Sequence, residues 1–524
     1  MSEHQRYENL DEGGIALLAE VLALKCRAGD VIALRGDLGA GKTTFARAFI
    51  RSVLGDMLAE VPSPTFPIVQ LYEAGRFDIR HFDLYRVSDP DELIEIGFSD
   101  GLDTSVTLVE WPENAGPVLP EDRIEVEISE HPDRPDARIV GISVFGHNAP
   151  TGALTTPLRI GRVLPLFNLL APVFPSDTGS GRPRHLTYLQ GDASSRAYGR
   201  ITGGFGSRIV MDSPPQPDGP PVRHGLSYSQ VAHLAEDIRP FIAISDTLLR
   251  AGFSTPRCEA VDLEAGVAVF EDLGNEVFGS ANLSGISQSD LWASATDVLL
   301  AIREAQLPRT AVAMLGNGKT VTHALPNYDA GVMQIEVELL LDWYLPMMRD
   351  EKAGSHALTE FSALWRDVFD QLSSLESNWV LRDFHSPNLI WLPDRAGIQR
   401  VGLIDFQDAQ IGHPAYDLVS LLQDARVDVP DDIESRQLDR YLARAAAQDP
   451  SFDATSFLWA YAALGVQRNT KILGIFARLA QRDHKPQYLA HIPRIWRYLS
   501  RSLMHPSFSA LKAWYDSHLP PRPQ

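Results

Sequence analysis

The sequence is short of cysteine and of positive charge. Its 524 residues include only 2 cysteines, Cys26 and Cys258, which lie far apart in apolar surroundings and predict buried thiols rather than a disulfide or a metal site. Lysine and arginine number 47 against 68 aspartates and glutamates, for a net charge of -21. Because a protein that grips nucleic acid by itself needs a cationic face, direct nucleic-acid binding is disfavoured. Binding to a protein partner that holds nucleic acid remains open.

The chain also lacks a long apolar run and a signal sequence. No stretch approaches the roughly 20 apolar residues that cross a bilayer, and the polar, acidic start MSEHQRYENLDEGG does not have the pattern of a signal peptide. We therefore expect a cytoplasmic protein without membrane contact. A hydrophobic content of 44% is enough for more than one core.

Composition divides the chain into two structured parts and a linker. Residues 1–145 alternate buried strands such as DVIALRG and SVTLVEW with helical periodicity, which predicts an α/β domain with an open, largely parallel sheet. Within it, KTTFARAFIRSVLG predicts a helix that ends at Gly55, and RIEVEISE predicts an edge or half-exposed strand. Residues 146–185 are rich in Pro, Gly, Ser and Thr, which predicts a linker. Inside the linker, IGRVLPLFNLLAPV is apolar enough to dock on something, without an evident role.

Residues 186–524 change from strands to helices along the chain. HLTYLQGDASSRAYGRITG, SRIVMDSPP and GVAVFEDLG predict antiparallel strands over about 186–280, and long amphipathic segments dominate about 281–524. This order of elements predicts an α+β domain.

The stretch RGDLGAGKTT carries the pattern G-x-x-x-x-G-K-T between a strand and a helix. In such a P-loop the glycines turn backbone amides toward phosphate oxygens, Lys42 reaches the β- and γ-phosphates, and Thr43 ligates Mg²⁺. A glycine turn with a helix-capping threonine is the alternative. A second stretch, GNGKT, lacks the leading glycine and the leading strand, and it predicts no site. The predicted nucleotide-binding residues are Gly36, Gly39, Gly41, Lys42, Thr43 and Thr44.

Three further residues are candidates for the same site. TLVEWPE ends its strand on Glu110, where the second Mg²⁺-holding acid of a P-loop site is expected. VPSPTF and RHFDLYR lie where nucleotide-sensing loops usually sit, which would bring Thr65 to the γ-phosphate and Asp83 to the metal or water. A strand-end charge for Glu110 and a cap for Asp83 are the alternatives. Trp111 either stacks near the nucleotide or packs in the core.

The ordered set GDLGAGKTT, SPTF, HFDLYR, DPDEL and EWPE, within about Asp11 to Val144, resembles the TsaE (YjeE) family. The resemblance implies a small ATPase that acts with TsaB- and TsaD-type proteins in making N6-threonylcarbamoyladenosine (t6A) in tRNA. It implies ATP and Mg²⁺ as cofactors, nucleotide sensing by Thr65, a catalytic Asp83 and a metal-binding Glu110. A protein complex as partner agrees with the acidic charge.

VLRDFHSPNLIWLP and VGLIDFQDA place Asp383, Asn388 and Asp405 after apolar strands. Phosphoryl transfer needs one carboxylate to accept the proton of the attacking hydroxyl, here Asp383, and an amide and a second carboxylate to hold Mg²⁺ against ATP, here Asn388 and Asp405. After Asp405 the chain passes almost directly into a helix, which leaves no room for the peptide platform of protein kinases. The sequence therefore predicts a small-molecule acceptor.

D-x-H-x-x-N with IDFQDA and PAYDL resembles the aminoglycoside phosphotransferase-like kinases, which implies a bilobal, protein-kinase-like fold with lobes over about 186–280 and 281–524. In that family His385 supports the catalytic loop and Asp417 bonds to it. LQGDASSRAYGRI and LPNYDAGVMQIEVELLLDWYL look like AmgK-type kinases, over about Leu186 to Ser507. That likeness implies phosphorylation of the anomeric hydroxyl of N-acetylmuramic acid and N-acetylglucosamine in peptidoglycan recycling. An antibiotic phosphotransferase is the alternative.

The stretch GDASSRAY is predicted to cover the ATP phosphates with Ser194, Ser195 and Arg196, a plain hairpin turn being the alternative. The strand SRIVMDSPP has no lysine to pair with the α- and β-phosphates. Arg196 or Arg200 is the candidate replacement.

For the sugar pocket the candidates are Asp329, Glu336 and His385, with Tyr328 and Trp343 beside them; roles in helix packing are the alternative for the residues of this helical segment. Taken together, the motifs predict a fusion of two unrelated nucleotide sites in one polypeptide.

Overall fold

A computed structural model describes residues 4–146, 156–175, 184–189, 196–215, 219–280, 283, 285–349 and 353–519. Ser194 and Ser195 of the predicted phosphate loop lie outside the described residues. The chain forms two compact units, one of Met1–Pro214 with Cys258–Asp272 and the other of Pro215–Arg257 with Leu273–Gln524. The units therefore do not follow the change of composition at 146–185.

The strands range from 2 to 12 residues in length. In chain order they are β1 (His4–Leu10), β2 (Val31–Arg35), β3 (Val69–Tyr72), β4 (Asp78–Asp83), β5 (Ser105–Glu110), β6 (Arg123–His131), β7 (Arg134–Phe145), β8 (His185–Leu189), β9 (Ala197–Gly203), β10 (Gly206–Asp212), β11 (Pro221–Arg223), β12 (Leu226–Ser227), β13 (Cys258–Asp262), β14 (Val267–Glu271), β15 (Thr310–Met314), β16 (Thr320–Ala324), β17 (Asn378–Val380), β18 (Leu389–Trp391), β19 (Val401–Leu403) and β20 (Gln410–Gly412).

The α-helices become longer toward the C-terminal part. They are α1 (Glu12–Lys25), α2 (Lys42–Leu54), α3 (Asp91–Glu95), α4 (Thr156–Gly161), α5 (Val163–Val173), α6 (Tyr228–Ala232), α7 (Arg239–Arg250), α8 (Gln288–Glu304), α9 (Ala330–Leu339), α10 (Leu345–Arg349), α11 (Ser355–Ser373), α12 (Ala415–Leu422), α13 (Asp431–Gln448), α14 (Ala454–Gln481), α15 (Ile492–Ser502) and α16 (Ser509–His518). No helix among these described residues combines the length and the apolar character needed to cross a membrane.

A seven-stranded sheet with the order β1-β7-β6-β2-β5-β4-β3 forms the centre of the first unit. Its four central strands, β6, β2, β5 and β4, are parallel, and antiparallel strands are added at both edges. The predicted open α/β sheet is confirmed, with a parallel centre. Strand β6 pairs on both sides, so it is half-exposed by alternation and not an edge strand. Helix α2 ends as predicted, at Gly55 in the left-handed conformation (φ 68°).

A second, five-stranded sheet with the order β13-β14-β10-β9-β8 belongs to the same unit and is antiparallel throughout. The apolar segment inside the predicted linker forms α5. Its Leu166 and Leu170 are fully buried in one hydrophobic cluster with residues of both sheets. This segment is therefore part of the core of the first unit.

The second unit is mainly helical. Helix α14 contacts α9, α12 and α15, and two short antiparallel ladders, β17 with β20 and β18 with β19, frame the segments that carry the second set of predicted site residues. The stretch GNGKT forms the turn between the paired strands β15 and β16. The rise in helix content toward the C-terminal part follows the sequence prediction.

Candidate functional site

The P-loop connects β2 to α2. Gly36, Gly39 and Gly41 have φ values of 141°, 80° and 117°, a region that favours glycine. A Cβ atom at Gly36 would also collide with the backbone carbonyl of Ile128. The backbone of this loop therefore favours glycine at all three positions, most strongly at Gly36, and helix α2 starts directly at Lys42.

The ammonium group of Lys42 lies over the loop. Its Nζ donates to the backbone carbonyls of Gly36 (2.6 Å) and Asp37 (2.9 Å), and it lies 3.6 Å from the centroid of the Trp111 ring. Burial lowers the pKa of Lys42, while nearby carboxylates, Glu110 first among them, favour the charged form. A cation held by carbonyls and an aromatic face is suited to exchange these contacts for a phosphate group.

The parallel pairing of β4 and β5 places Asp83 opposite Glu110 at the carboxyl ends of the two strands. Thr43 Oγ1 donates to Glu110 Oε2 (2.9 Å), so the two predicted metal ligands are adjacent. Glu110 Oε1 lies 2.9 Å from Nε2 of His81, a fully buried residue that the sequence analysis missed. His81 lies two positions before Asp83 on β4. Because side chains two positions apart on a strand lie on the same face, this spacing could have indicated His81 as a neighbour of the site.

Asp83 connects two segments that are distant in sequence. Its Oδ2 accepts from Ser63 Oγ (2.5 Å) and Thr65 Oγ1 (2.8 Å), and its Oδ1 accepts from the backbone N–H of Tyr85 (3.1 Å). The structure thus brings Thr65 and Asp83 together, adds Ser63, and gives Asp83 a capping role beside its proposed catalytic one.

The donor set of the first site suits Mg²⁺. Among the described residues, no group of three or more His, Cys, Asp or Glu side chains is arranged to hold a metal ion. Mg²⁺ needs fewer protein ligands, because it usually keeps waters and binds substrate phosphates besides one or two carboxylates. The Thr43 hydroxyl and the Glu110 carboxylate fit this requirement.

The second set of predicted residues also comes together. The pairing of β18 with β19 brings Asn388 beside Asp405, with Asn388 Nδ2 3.4 Å from Asp405 Oδ2. Asn388 Nδ2 also donates to the backbone carbonyl of Asp383 (3.0 Å), and Gln407 Nε2 donates to Asp405 Oδ1 (2.9 Å). Asp405 has φ 59°, an uncommon value for a residue with a side chain. Because Asn388 makes both contacts through its Nδ2, its Oδ1 and the Asp405 carboxylate are the oxygen atoms that this pair could offer to Mg²⁺.

His385 and Asp417 hold the backbone around Asp383. His385 Nδ1 lies 2.9 Å from the carbonyl of Asp383, where a neutral ring donates its N–H; burial lowers the pKa of this ring and favours that neutral form. Asp417 accepts the N–H groups of Leu381 (2.6 Å) and Arg382 (2.9 Å). Burial raises the pKa of Asp417 to about 7. The contact of His385 is thus to the loop, as the resemblance implied.

Glu336 is fully buried, with no exposed side-chain surface. Its contacts hold the catalytic segment through Arg382, and a direct contact with substrate stays a prediction. Sequence reasoning missed its partners on α14, which no local motif marks. The groups that donate to Glu336 belong to Arg382, Lys471 (2.7 Å), Tyr328 (2.6 Å) and Gln467 (2.9 Å).

The remaining candidates are placed as follows. Asp329 is exposed and caps α9, where its Oδ1 accepts from the N–H of Val332 (3.0 Å), and Trp343 is half-buried. Arg196 directly precedes β9. Arg200 pairs with Asp272 (3.1 Å between Nη2 and Oδ1), which partly compensates its charge. Its role as a replacement for the missing lysine stays a prediction.

Two families match different parts of the chain. Residues 11–139 match the family described as threonylcarbamoyl adenosine biosynthesis protein TsaE, and residues 185–458 match the phosphotransferase enzyme family. The N-acetylmuramate/N-acetylglucosamine kinase of Caulobacter vibrioides is 40% identical over 356 residues, which are 66% of this chain and 95% of that protein.

TsaE proteins of several Rickettsia species match about a fifth of the chain. The tRNA threonylcarbamoyladenosine biosynthesis protein TsaE of Rickettsia prowazekii is 38% identical over 110 residues, 21% of this chain and 76% of that protein. The TsaE protein of Rickettsia conorii is 41% identical over 111 residues, 21% of this chain and 63% of that protein. The chain belongs to the phosphotransferase enzyme family and carries, in residues 11–139, a domain of the TsaE family.

Proposed function

We propose that the phosphotransferase part makes N-acetylmuramic acid or N-acetylglucosamine 1-phosphate from the free amino sugar and ATP. The observation that carries this proposal is the 40% identity to the Caulobacter kinase over nearly its whole length. The proposed reaction also has a chemical basis, because Asn388 contacts both Asp383 and Asp405. The corresponding biological role is peptidoglycan recycling.

In this reaction a bond forms between the anomeric oxygen and the γ-phosphorus, and the bond from that phosphorus to the β–γ bridging oxygen breaks, with ADP leaving. Asp383 accepts the proton of the attacking hydroxyl. Asn388 and Asp405 hold Mg²⁺, which neutralises charge on the ATP phosphates when bound. His385 and Asp417 keep the base in place through the backbone.

The test is an acceptor trial with the purified full chain. ADP release is measured with N-acetylmuramic acid, N-acetylglucosamine and kanamycin as separate acceptors, and ³¹P NMR locates the new phosphate. We expect turnover with the amino sugars and a phosphate on the anomeric carbon. Turnover with kanamycin and none with the amino sugars contradicts the proposal and favours an antibiotic phosphotransferase.

We also propose that residues 11–139 bind and hydrolyse ATP in support of t6A formation by TsaB- and TsaD-type proteins. The proposal is supported by three sequence-distant segments, around Thr43, Thr65 and Glu110, that converge on Asp83 and the P-loop. Mg²⁺ would be held by Thr43 and Glu110. The net charge of -21 favours a protein partner over free tRNA.

The test is a pull-down with TsaB and TsaD from the same organism, followed by t6A reconstitution on unmodified tRNA. We expect ATP-dependent complex formation and t6A synthesis, both lost in Asp83→Asn. A matched control is Asp78→Asn, at the exposed start of the same strand, β4. Complete t6A synthesis without this chain, or equal synthesis with Asp83→Asn, contradicts the proposal.

A further inference from the structure

Helix α1 of the TsaE-type domain packs directly on the five-stranded sheet. Leu24 of α1 shares a hydrophobic cluster with Leu186, Ile201 and Val210 of that sheet. A Cβ atom at Gly199 would lie 3.2 Å from Leu24 Cδ1 and 3.0 Å from Leu186 Cδ1, closer than ordinary van der Waals contact. Strand β9 therefore has a glycine at the point where α1 approaches. The missing side chain allows the two folds to pack closely there.

A buried ion pair joins the end of α1 to the end of β10. Lys25 Nζ donates to Asp212, and their side chains are 7% and 5% exposed. Arg162, just before α5, donates through Nε to the other oxygen of Asp212 (3.0 Å). The carboxylate of Asp212 is thus compensated by two cations that come from outside its own sheet. Removing one partner of such a buried pair is costly, because the other charge stays buried.

The outer edge of β8 is also closed by the TsaE-type domain. Strand β8 is an edge strand, and its inner side pairs with β9. Glu20 of α1 accepts the backbone N–H of Leu186 (3.1 Å) and the Nδ1–H of His185 (3.0 Å). Ser52 of α2, the P-loop helix, donates to the carbonyl of Leu186. Backbone groups that an edge strand usually leaves open are therefore satisfied by helices α1 and α2.

A kinase of this family does not need a TsaE domain in general. The match to the Caulobacter kinase takes up 95% of that protein, so what is left over is far too short for such a domain. The contacts of Glu20, Lys25 and Ser52 to the five-stranded sheet are therefore a feature of the fused chain. Two of the three residues, Glu20 and Lys25, are buried charged groups, and the loss of a buried charge partner is costly.

We infer that the TsaE-type domain is a structural part of the kinase, in which Glu20, Lys25 and Ser52 are positioning residues that hold the five-stranded sheet in the form that binds ATP. The expected effect on ATP binding rests on the proposed kinase function. The expected effect on the stability of the five-stranded sheet does not. None of the three residues is a predicted nucleotide ligand, although Ser52 lies on the same helix, α2, as Lys42 and Thr43.

The test uses the full chain with Lys25→Met and, as control, Lys319→Met, which removes an exposed lysine of the β15–β16 turn. Hydrogen exchange is followed at the amides of β8 and β10. In Lys25→Met we expect the amides of β8 and β10 to exchange at least about tenfold faster, which corresponds to about 1.4 kcal/mol. In the control we expect the exchange rates of these amides to stay unchanged. In sugar phosphorylation, we expect a higher KM for ATP with little change in kcat.

Two further variants keep the test decisive. If Lys25→Met does not fold, Ser52→Ala removes a single hydrogen bond to β8 and carries the same readouts. In a double-mutant cycle of Lys25→Met with Asp212→Asn, we expect non-additive effects on exchange, because the two residues form one pair.

Unchanged exchange in β8 and β10 overturns the inference, and so does a fall in kcat with an unchanged KM for ATP. If the wild-type chain phosphorylates no amino sugar but Lys25→Met still loosens β8 and β10, the proposed kinase function fails while the structural dependence of the sheet on the TsaE-type domain stands.

Discussion

Glu336 and Arg382 form an ion pair in the interior of the second unit, where Glu336 has no exposed surface and Arg382 is 4% exposed. Arg382 immediately precedes the proposed base Asp383 and has φ 69°, a left-handed conformation that is uncommon for a residue with a side chain. Its guanidinium also donates to the carbonyl of Ala232 (3.0 Å). The pair therefore fixes the backbone next to the base, and Lys471 adds a second cation to the same carboxylate.

Glu336→Gln is expected to lower both stability and turnover. The substitution leaves Arg382 and Lys471 buried without their anion, which costs about 3–5 kcal/mol for a broken buried pair. Denaturant unfolding and kcat of sugar phosphorylation measure the two effects. Glu360→Gln, at an exposed position of α11, is the control. Wild-type stability and wild-type turnover in Glu336→Gln contradict the positioning role.

The same pair predicts a dependence of stability on pH. Burial alone would raise the pKa of Glu336, but Lys471 and Arg382 outweigh it and lower that pKa from 4.5 to about 2. A carboxyl whose folded pKa is depressed contributes stability above its unfolded pKa and loses it as the pH falls toward the folded pKa. The contribution, on the order of 3 kcal/mol, is therefore complete above about pH 4.5 and is lost toward about pH 2.

Unfolding of wild type and Glu336→Gln at several pH values between 6 and 3 checks this prediction. The difference in free energy of unfolding is expected to be constant down to about pH 4.5 and to shrink below it. Parallel pH profiles over the whole range contradict the assignment of a depressed pKa to Glu336.

Local motifs predicted those parts of the two sites that lie within one strand–loop segment. The P-loop residues Gly36, Gly41 and Lys42 follow from the spacing of the motif, and the glycines have positive φ values, as a tight phosphate loop requires. The ladder of β18 and β19 lies next to the segments that carry Asp383, Asn388 and Asp405. In the sequence, short apolar strands followed by polar loop residues indicate such positions.

The long-range partners could not be predicted in this way. Lys471 lies 135 residues after Glu336, and on a long amphipathic helix a lysine looks the same whether it faces solvent or a buried carboxylate. Lys25 and Asp212 lie 187 residues apart, on different folds. A single sequence gives the charge of such residues, but the partner is set by the packing of helices and sheets.

Asp383→Asn is expected to lower kcat of sugar phosphorylation by about 10²- to 10⁴-fold, the usual contribution of a general base. The fold should persist, because Asn388 and His385 bond to the backbone carbonyl of residue 383 and not to its carboxylate. ADP release with N-acetylmuramic acid measures the rate, and ATP binding by the P-loop is expected to stay unchanged. If Asp383→Asn loses both sugar phosphorylation and ATP binding by the P-loop, the assignment of two independent sites is contradicted.

Lys42→Ala is expected to have the opposite effect. Lys42 Nζ contacts two loop carbonyls and the Trp111 ring, so its removal takes away the proposed phosphate-binding cation while the glycines that shape the loop remain. Titration with a non-hydrolysable ATP analogue is expected to give two binding sites per chain in the wild type, one in Lys42→Ala and two in Asp383→Asn. Sugar phosphorylation by Lys42→Ala should remain near the wild-type rate. Because the P-loop and Asp383 lie in different compact units, a single site per wild-type chain would contradict the assignment of one nucleotide to each family domain.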